Sequence, residues 1–281
     1  MPSLSPSKWL QHLVASQVRD GLTSPHGDLM PSFPPEELQR NTTSLSGDAA
    51  LGQAAGFYED IILAIEGDGS VILPAWKILD FGASWGRIAR FFLRDVSLRN
   101  LYGLDVDPGF VELARSLFGS DNFKVCGVLP PAPFADASFG LISAYSVFSH
   151  LSERSFLLWM EEFARILRRD AYLAFTTRHE SFLDYCAWIA SQGEALQGYL
   201  RALGGLFTDV EQARRRYRAG EFVFATSPGV SGGGVRNESF YGEAFVPRAY
   251  VERSLARHFR LIRYSFDPAK YDQAGFVLRR L

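Results

Sequence analysis

Apolar and polar positions along the chain fall into two rhythms. From Lys77 to Thr177, short apolar runs that read as buried strands alternate with stretches in which apolar residues recur every three or four positions. The pattern predicts strand 77–81, helix 86–94, strand 101–105, helix 108–118, strands 122–126 and 139–144, helix 152–168 and strand 171–177. Strands that alternate with helices through short turns build a mostly parallel sheet with helices on both faces. Ligands of such sheets lie beyond the carboxyl ends of the strands.

Upstream, the first fifty residues are punctuated by proline, with one amphipathic helix in which Trp9, Leu10, Leu13, Val14 and Val18 share a face. A second helix, capped by Asp48, has Phe57, Ile61, Ile62 and Ile65 on its apolar side and stops at the "GDGS" that begins at Gly67. Residues 1–70 therefore read as a helical extension packed on a main domain, 71–281. After Thr177 the rhythm changes. Phe182, Tyr185, Cys186 and Ile189 mark one helix, Ala195, Leu196, Tyr199, Leu200 and Leu203 a second, and "TDVEQARRRYRAG" a third, basic one. This block, about 181–221, is a helical insertion after the fifth strand. A glycine-rich loop at about 226–242, containing Gly232, Gly233 and Gly234, is expected to act as a lid. A helix opened by Pro247 and the strands "FRLIRYSF" and "GFVLRR" complete the chain.

With 281 residues, 47% of them hydrophobic, the chain can bury one large α/β core without covalent staples. Two cysteines, Cys126 and Cys186, are too few for a disulfide framework or a zinc cluster, and no pair among His12, His26, His150, His179 and His258 has ligand spacing, so no metal is expected. A formal charge of −2 provides no attraction for nucleic acid or anionic lipid. No apolar run approaches the roughly 20 residues of a membrane span. The expectation is a cytoplasmic protein with small or neutral partners.

The stretch "ILDFGASWGRIARFF", from Ile78, has the strand, glycine turn and helix of a nucleotide-cofactor site. Gly82 and Gly86 permit the turn, while Ser84 stands where a dinucleotide fingerprint requires glycine. Asp105 ends the next strand, within reach of a ribose. A carboxylate there accepts hydrogen bonds from both hydroxyls, each contributing about 1.5–3 kcal/mol.

At these residues the chain resembles the class I S-adenosylmethionine-dependent methyltransferases. "LDFGASWGR" is similar to their first motif, "GLDVDP" to their ribose-binding acidic motif, and "PPAPFADASFGLISAYSVFSHLSE" to the segment from the adenine pocket through the fourth strand, in family order. The resemblance covers about 77–178 and implies a Rossmann-like, seven-stranded, mostly parallel sheet with S-adenosylmethionine as cofactor. It further implies that Asp80 orients the methionine amino group, that Gly82, Ala83, Ser84 and Gly86 form the turn against the cofactor, and that Asp105 takes the ribose. Val106, Gly127 and Val128 would surround the adenine, and Tyr145 and Ser146 the methionine end. "FYGEAFVPRAYVERSLARHFRLIRY" and "YDQAGFVLRR" look similar to a bacterial subgroup associated with glycosyltransferases, which would make such an enzyme a partner. Gly82-Ala83-Ser84 departs from that subgroup's Gly-Cys-Gly turn, and "RRDA" at Arg168 from its turn before the fifth strand.

The resemblance implies methyl transfer to a small-molecule or glycan acceptor, with a hydroxyl as the expected nucleophile. A hydroxyl benefits from a base, for which His150 and His179, just beyond strand ends, are the candidates. Tyr241 and Glu243, with Arg236 and Asn237 nearby, are placed to hydrogen-bond a polar acceptor. Tyr185, Trp188 and Tyr199 would line an apolar one, and "ARRRYR" at Ala213 reads as a solvated face or an anion contact. Carbon or nitrogen methylation of a natural product, and a cofactor-binding but inactive scaffold, stay open as alternatives.

Overall fold

The computed structural model describes residues 4–193, 196–231 and 234–281; Ala195, expected in the second inserted helix, and Gly232 and Gly233 of the glycine-rich loop lie outside the described residues. Its centre is a seven-stranded sheet built from β1 (Ile78–Phe81), β2 (Leu101–Asp105), β3 (Phe123–Val125), β4 (Phe139–Ala144), β5 (Leu167–Thr177), β8 (Phe259–Ser265) and β9 (Ala274–Arg280). The spatial order is β3-β2-β1-β4-β5-β9-β8. All pairs from β3 to β5 are parallel, and β9 runs antiparallel to both neighbours. Chain direction across the sheet reverses between β1 and β4, so a crevice opens at the carboxyl ends of these two strands. This is the expected Rossmann-like α/β fold.

Helices cover both faces. Helices α1 (Pro6–Ala15), α3 (Gly47–Gly67) and α4 (Pro108–Phe118) share one apolar cluster with Ile78, Tyr172 and Val277. Helices α5 (Glu153–Ile166) and α9 (Arg248–Ser254) share a second with Leu79, Phe81, Leu173 and Phe276. Neighbouring residues of one strand thus enter opposite clusters, as a period of two requires. The N-terminal helices are anchored by Trp9 and Leu13, both 0% exposed. Helices α6 (Ser181–Ser191), α7 (Gly198–Gly204) and α8 (Val210–Arg218) form the insertion after β5. Leu183, Ala213 and Tyr217 pack there on Val223 and Phe245, which belong to a short antiparallel pair, β6 (Val223–Ala225) and β7 (Glu243–Phe245).

Several expectations change in detail. The helix expected at 86–94 is a short 3-10 helix, Ala89–Arg94, every residue of which is buried; the segment has no solvent face to favour a longer amphipathic helix. Helix 152–168 stops at Ile166 because Leu167 already pairs with Phe139, and β5 therefore begins four residues before the expected strand at 171. The third strand spans only Phe123–Val125. Val18 lies outside α1 and is 85% exposed. Ser46, not Asp48, is the N-cap of α3, while Asp48 accepts a 2.8 Å bond from Gln17. Helix α2 (Glu36–Thr43) was not expected, since "EELQRNTT" has no apolar periodicity, and the β6–β7 pair was missed because each strand has three residues. No described helix is long and apolar enough to cross a membrane.

Gly86 closes the turn after β1 at φ +80°, where a Cβ would run into the ring of Phe118. Left-handed backbone at a residue with a Cβ costs about 1–2 kcal/mol, and the clash adds to it. Gly86→Ala is therefore expected to lower the denaturation midpoint in urea by at least that equivalent. An unchanged midpoint would contradict the turn geometry.

Candidate active site

The crevice at the β1/β4 switch point is a cavity of about 410 Å3, within the roughly 300–1,000 Å3 of small-ligand pockets. Its floor is the end of β1. Asp80 is 2% exposed; Oδ1 accepts from the Ser143 hydroxyl on β4 at 2.9 Å and Oδ2 from the Ala89 N–H at 3.0 Å. Burial pushes the Asp80 carboxyl up to about 7, against the opposing pull of these two bonds.

The turn that follows is fastened to β2. The N–H groups of Gly82 and Ala83 both donate to the Leu104 carbonyl, at 2.8 and 2.9 Å, and the Ser84 N–H donates to Asp105 Oδ2 at 2.9 Å. Gly82 has φ +73°, and a Cβ there would strike the side chain of Val147. Ser84 has φ +48°, a left-handed conformation that costs a residue with a Cβ about 1–2 kcal/mol. Its hydroxyl is buried with no partner. Asp105 Oδ1 accepts from the Asp107 N–H at 3.0 Å, so two backbone donors orient the carboxylate. Burial raises its pKa, while these two donors act to lower it.

Val106, Cys126 and Val128 line the cavity beyond Asp105, but Gly127 between them does not. The Val128 carbonyl accepts a 3.1 Å bond from the Trp159 indole. A Cβ at Gly127 would sit 2.9 Å from the Leu129 carbonyl oxygen, so the glycine serves the backbone path rather than the wall. On the other side, Tyr145, Ser146 and Val147 follow β4. Ser146, at φ +58°, donates its N–H to Thr176 Oγ1 and accepts from Gln273, both at 2.8 Å. The Tyr145 hydroxyl is buried and unpartnered, and the Arg87 guanidinium lies 5.0 Å over its ring.

Arg87 is 7% exposed and lines the cavity; among the described residues it bonds Gln53 Oε1 at 2.8 Å and the Ala50 carbonyl at 3.4 Å. It was not singled out from sequence, although it stands directly after Gly86 of the turn. Helix α2 was missed as well, yet Leu38, Asn41, Thr42 and Thr43 form a wall, and Thr42 accepts a 3.2 Å bond from the Trp85 indole.

The opposite wall comes from the late loop between β6 and β7. Its last residues are laced to the β4–α5 connection: Ser152 N–H donates to the Phe240 carbonyl, Gly242 N–H to His150 and Ala244 N–H to Ser149, each at 2.8 Å. Arg236, Phe240, Tyr241 and His150 thereby line the cavity together. The His150 ring stacks on Tyr241 with centroids 4.9 Å apart and planes 6° from parallel. His150 Nδ1 lies 2.9 Å from the Gly242 carbonyl oxygen. A carbonyl only accepts, so Nδ1 carries the proton and, in the neutral ring, Nε2 carries the lone pair.

Other expected residues lie elsewhere. His179 is outside the cavity lining; its ring stacks on Phe266 at 3.6 Å, and Nδ1 accepts from the Ser181 N–H at 3.2 Å. Glu243 is not open to an acceptor, being 0% exposed and already bonded to Arg178 at 2.6 Å and Tyr199 at 2.8 Å. Tyr185, Trp188 and Tyr199 face outward at 39%, 56% and 41% exposure and do not line the cavity. Asn237 is exposed and bonded within its own turn to Ser239. The arginines of α8 pair with surface acids: Arg214 with Asp184, Arg216 with Glu221 and Arg218 with Glu180.

Comparison with known proteins agrees with this layout. Residues 79–175, from β1 to β5, match the family model described as a methyltransferase domain. No curated protein sequence matches the chain. A putative S-adenosylmethionine-dependent methyltransferase from Listeria monocytogenes is similar in fold, with a TM-score of 0.52 and 12% identity over 81% of this chain and 99% of that one. A further S-adenosylmethionine-dependent methyltransferase, from Clostridium acetobutylicum, has a TM-score of 0.51 and 11% identity over 80% and 90% of the two chains. Residues 79–175 thus resemble a methyltransferase domain, and the likeness to both solved structures is one of fold. The residues present fit S-adenosylmethionine, the cofactor that the sequence resemblance implies: a turn at Gly82 with no room for a Cβ, a carboxylate at Asp105 for vicinal hydroxyls, and a buried carboxyl, Asp80, in the cavity floor with a guanidinium, Arg87, in the wall.

The raised Asp80 carboxyl carries a stability signature. Its folded-state value, about 7, exceeds its ordinary 3.8, so its contribution is fully present below about pH 4 and is lost as pH rises toward about 7. In Asp80→Asn this slope disappears. Unfolding free energies measured in urea across that window should fall less steeply with rising pH in the variant than in the wild type; parallel curves would contradict a buried, proton-holding Asp80.

Proposed function

We propose that this protein transfers a methyl group from S-adenosylmethionine to a hydroxyl of a small-molecule or glycan acceptor, with His150 as the base. The observation that carries this reading is the shared cavity: Asp80, Asp105 and His150 line one space, and His150 has Nδ1 committed to the Gly242 carbonyl. Its Nε2 is then the nitrogen able to take a proton.

When bound, S-adenosylmethionine supplies an electrophilic methyl on its sulfonium. Asp105 would accept from the ribose hydroxyls, and its two backbone donors hold it in place. Asp80 would accept from the methionine amino group and Arg87 would donate to the carboxylate. Val106 and Val128 would cover the adenine. Tyr145 and Ser146 would bound the methionine end, where the Tyr145 hydroxyl, which has no partner among the described residues, would bond the ligand. Phe240, Tyr241 and Leu38 exclude water from the transfer line, which an in-line displacement needs more than it needs any protein nucleophile. His150 receives the acceptor's proton at Nε2 as the oxygen attacks.

Ser84 occupies the left-handed region that favours glycine, at a cost of about 1–2 kcal/mol, yet its N–H still donates to Asp105 at 2.9 Å; that intact bond favours an active enzyme over an inactive scaffold. A cytoplasmic setting beside a glycosyltransferase is part of the proposal on the likeness of "FYGEAFVPRAYVERSLARHFRLIRY" alone.

Calorimetry with S-adenosylhomocysteine and, in parallel, NADH tests the donor side. The expected result is binding of S-adenosylhomocysteine alone, weakened at least tenfold in Asp105→Ala, equivalent to about 1.4 kcal/mol. No binding to the folded protein would overturn the reading.

A further inference from the structure

Glu243 joins three segments of the chain. Its Oε2 accepts from Arg178 Nε, at the end of β5, at 2.6 Å. Its Oε1 accepts from the Tyr199 hydroxyl, on inserted helix α7, at 2.8 Å, and the same Oε1 lies 3.4 Å from His150 Nδ1. Tyr199 and His150 therefore share one oxygen of a carboxylate that is completely buried. Burial works to raise the Glu243 carboxyl, but His150 and Arg178 beside it hold it down at about 2, so it is an anion at neutral pH. Burial and Glu243 together raise the Tyr199 phenol, so its hydroxyl remains a donor.

We propose that Glu243 and Tyr199 are positioning residues for His150, through which the helical insertion sets how strongly the cavity's base holds a proton. This role rests on the methyl-transfer reading above. As His150 takes a proton, its ring becomes a cation with Nδ1–H between the Gly242 carbonyl and Glu243 Oε1. The carboxylate stabilises that cation, and the Tyr199 O–H, by occupying the same oxygen, tempers the effect. An insertion 41% exposed at Tyr199 thus reaches the cavity through one hydroxyl, without lining it.

The surroundings of His150 are otherwise accounted for. Tyr241 stacks on one face of the ring, with the Arg236 guanidinium 5.9 Å beyond it. Arg178 is satisfied by Glu243 and lies 3.8 Å from Asp272. Burial and Glu243 raise the Cys186 thiol of α6 to about 12, which keeps it neutral. Glu243 is the anion placed against Nδ1.

The test uses the full-length protein with isotope-labelled histidine, followed by 15N–1H long-range correlation spectra, in which His150→Gln identifies the His150 signals. Wild type is expected to show the tautomer with the proton on Nδ1. At about pH 6.5, Glu243→Gln should lower the imidazolium fraction of His150 by about twofold or more, because it removes the anion. Tyr199→Phe should raise it, because Oε1 is freed for Nδ1–H. Glu243→Gln strands the Arg178 cation and can destabilise the chain; Tyr199→Phe, at a half-exposed position, keeps the test decisive if it does. Unchanged fractions in folded variants, a shift of the same sign in both, or a wild-type proton on Nε2 would overturn the assignment. Tyr199→Phe removes no charge, so an opposite-signed shift in that variant separates a positioning role from a merely structural one. The readout needs neither donor nor acceptor, so failure of S-adenosylhomocysteine binding sinks the methyl-transfer reading separately.

Discussion

The site depends on one fastening, the hydrogen bonds that tie the turn after β1 to the end of β2. The Leu104 carbonyl takes the N–H groups of Gly82 and Ala83, and the Asp105 carboxylate takes that of Ser84. Two strands are thereby locked side by side at their ends, and Asp105, the acid proposed to take the ribose, is oriented by the turn itself. The tie demands left-handed backbone at Gly82 and a tolerant residue at Ser84, and leaves no room for a side chain at Gly82 against Val147. Charge follows from the same geometry: a turn this close puts Asp80 under the ligand site and out of water.

What the fastening leaves open, three distant segments close. Helix α2 contributes a polar wall through Thr42, which reaches the Trp85 indole. The connection after β4 contributes Tyr145 to Leu151, and the late loop binds that connection by backbone bonds at Phe240, Gly242 and Ala244. The insertion stays outside the cavity but reaches its edge through Tyr199 and Glu243. The donor side is thus built from the sheet, whose geometry is rigid, and the acceptor side from loops and added helices, where specificity is free to vary.

The alternation of apolar runs made the sheet legible because its central strands β1 and β4 are buried along their whole length, and the glycines and Asp105 made the donor side legible because a turn and a strand end have few chemical solutions. Arg87 escaped notice since a single arginine beside a glycine carries no periodic signal; only its burial beside Tyr145 reveals it. Helix α2 escaped for a related reason, since its contacts come from Leu38 and polar side chains that no hydrophobic pattern marks. His150 and His179 looked alike in sequence, both just past strands. Backbone bonding separated them: the late loop pulls Gly242 against one ring, while Phe266 stacks on the other. Glu243 read as a contact for a polar acceptor because its actual partners, Arg178 and Tyr199, are distant in sequence.

The central claim, that one cavity brings a methyl donor to His150, is tested most directly by a crystal structure of the protein with S-adenosylhomocysteine bound. The account predicts ribose hydroxyls on Asp105, the amino group at Asp80, and the sulfur on the side of the cavity shared with Tyr145 and His150. A ligand with its homocysteine arm turned away from Asp80, or seated outside the β1/β4 crevice, would contradict it.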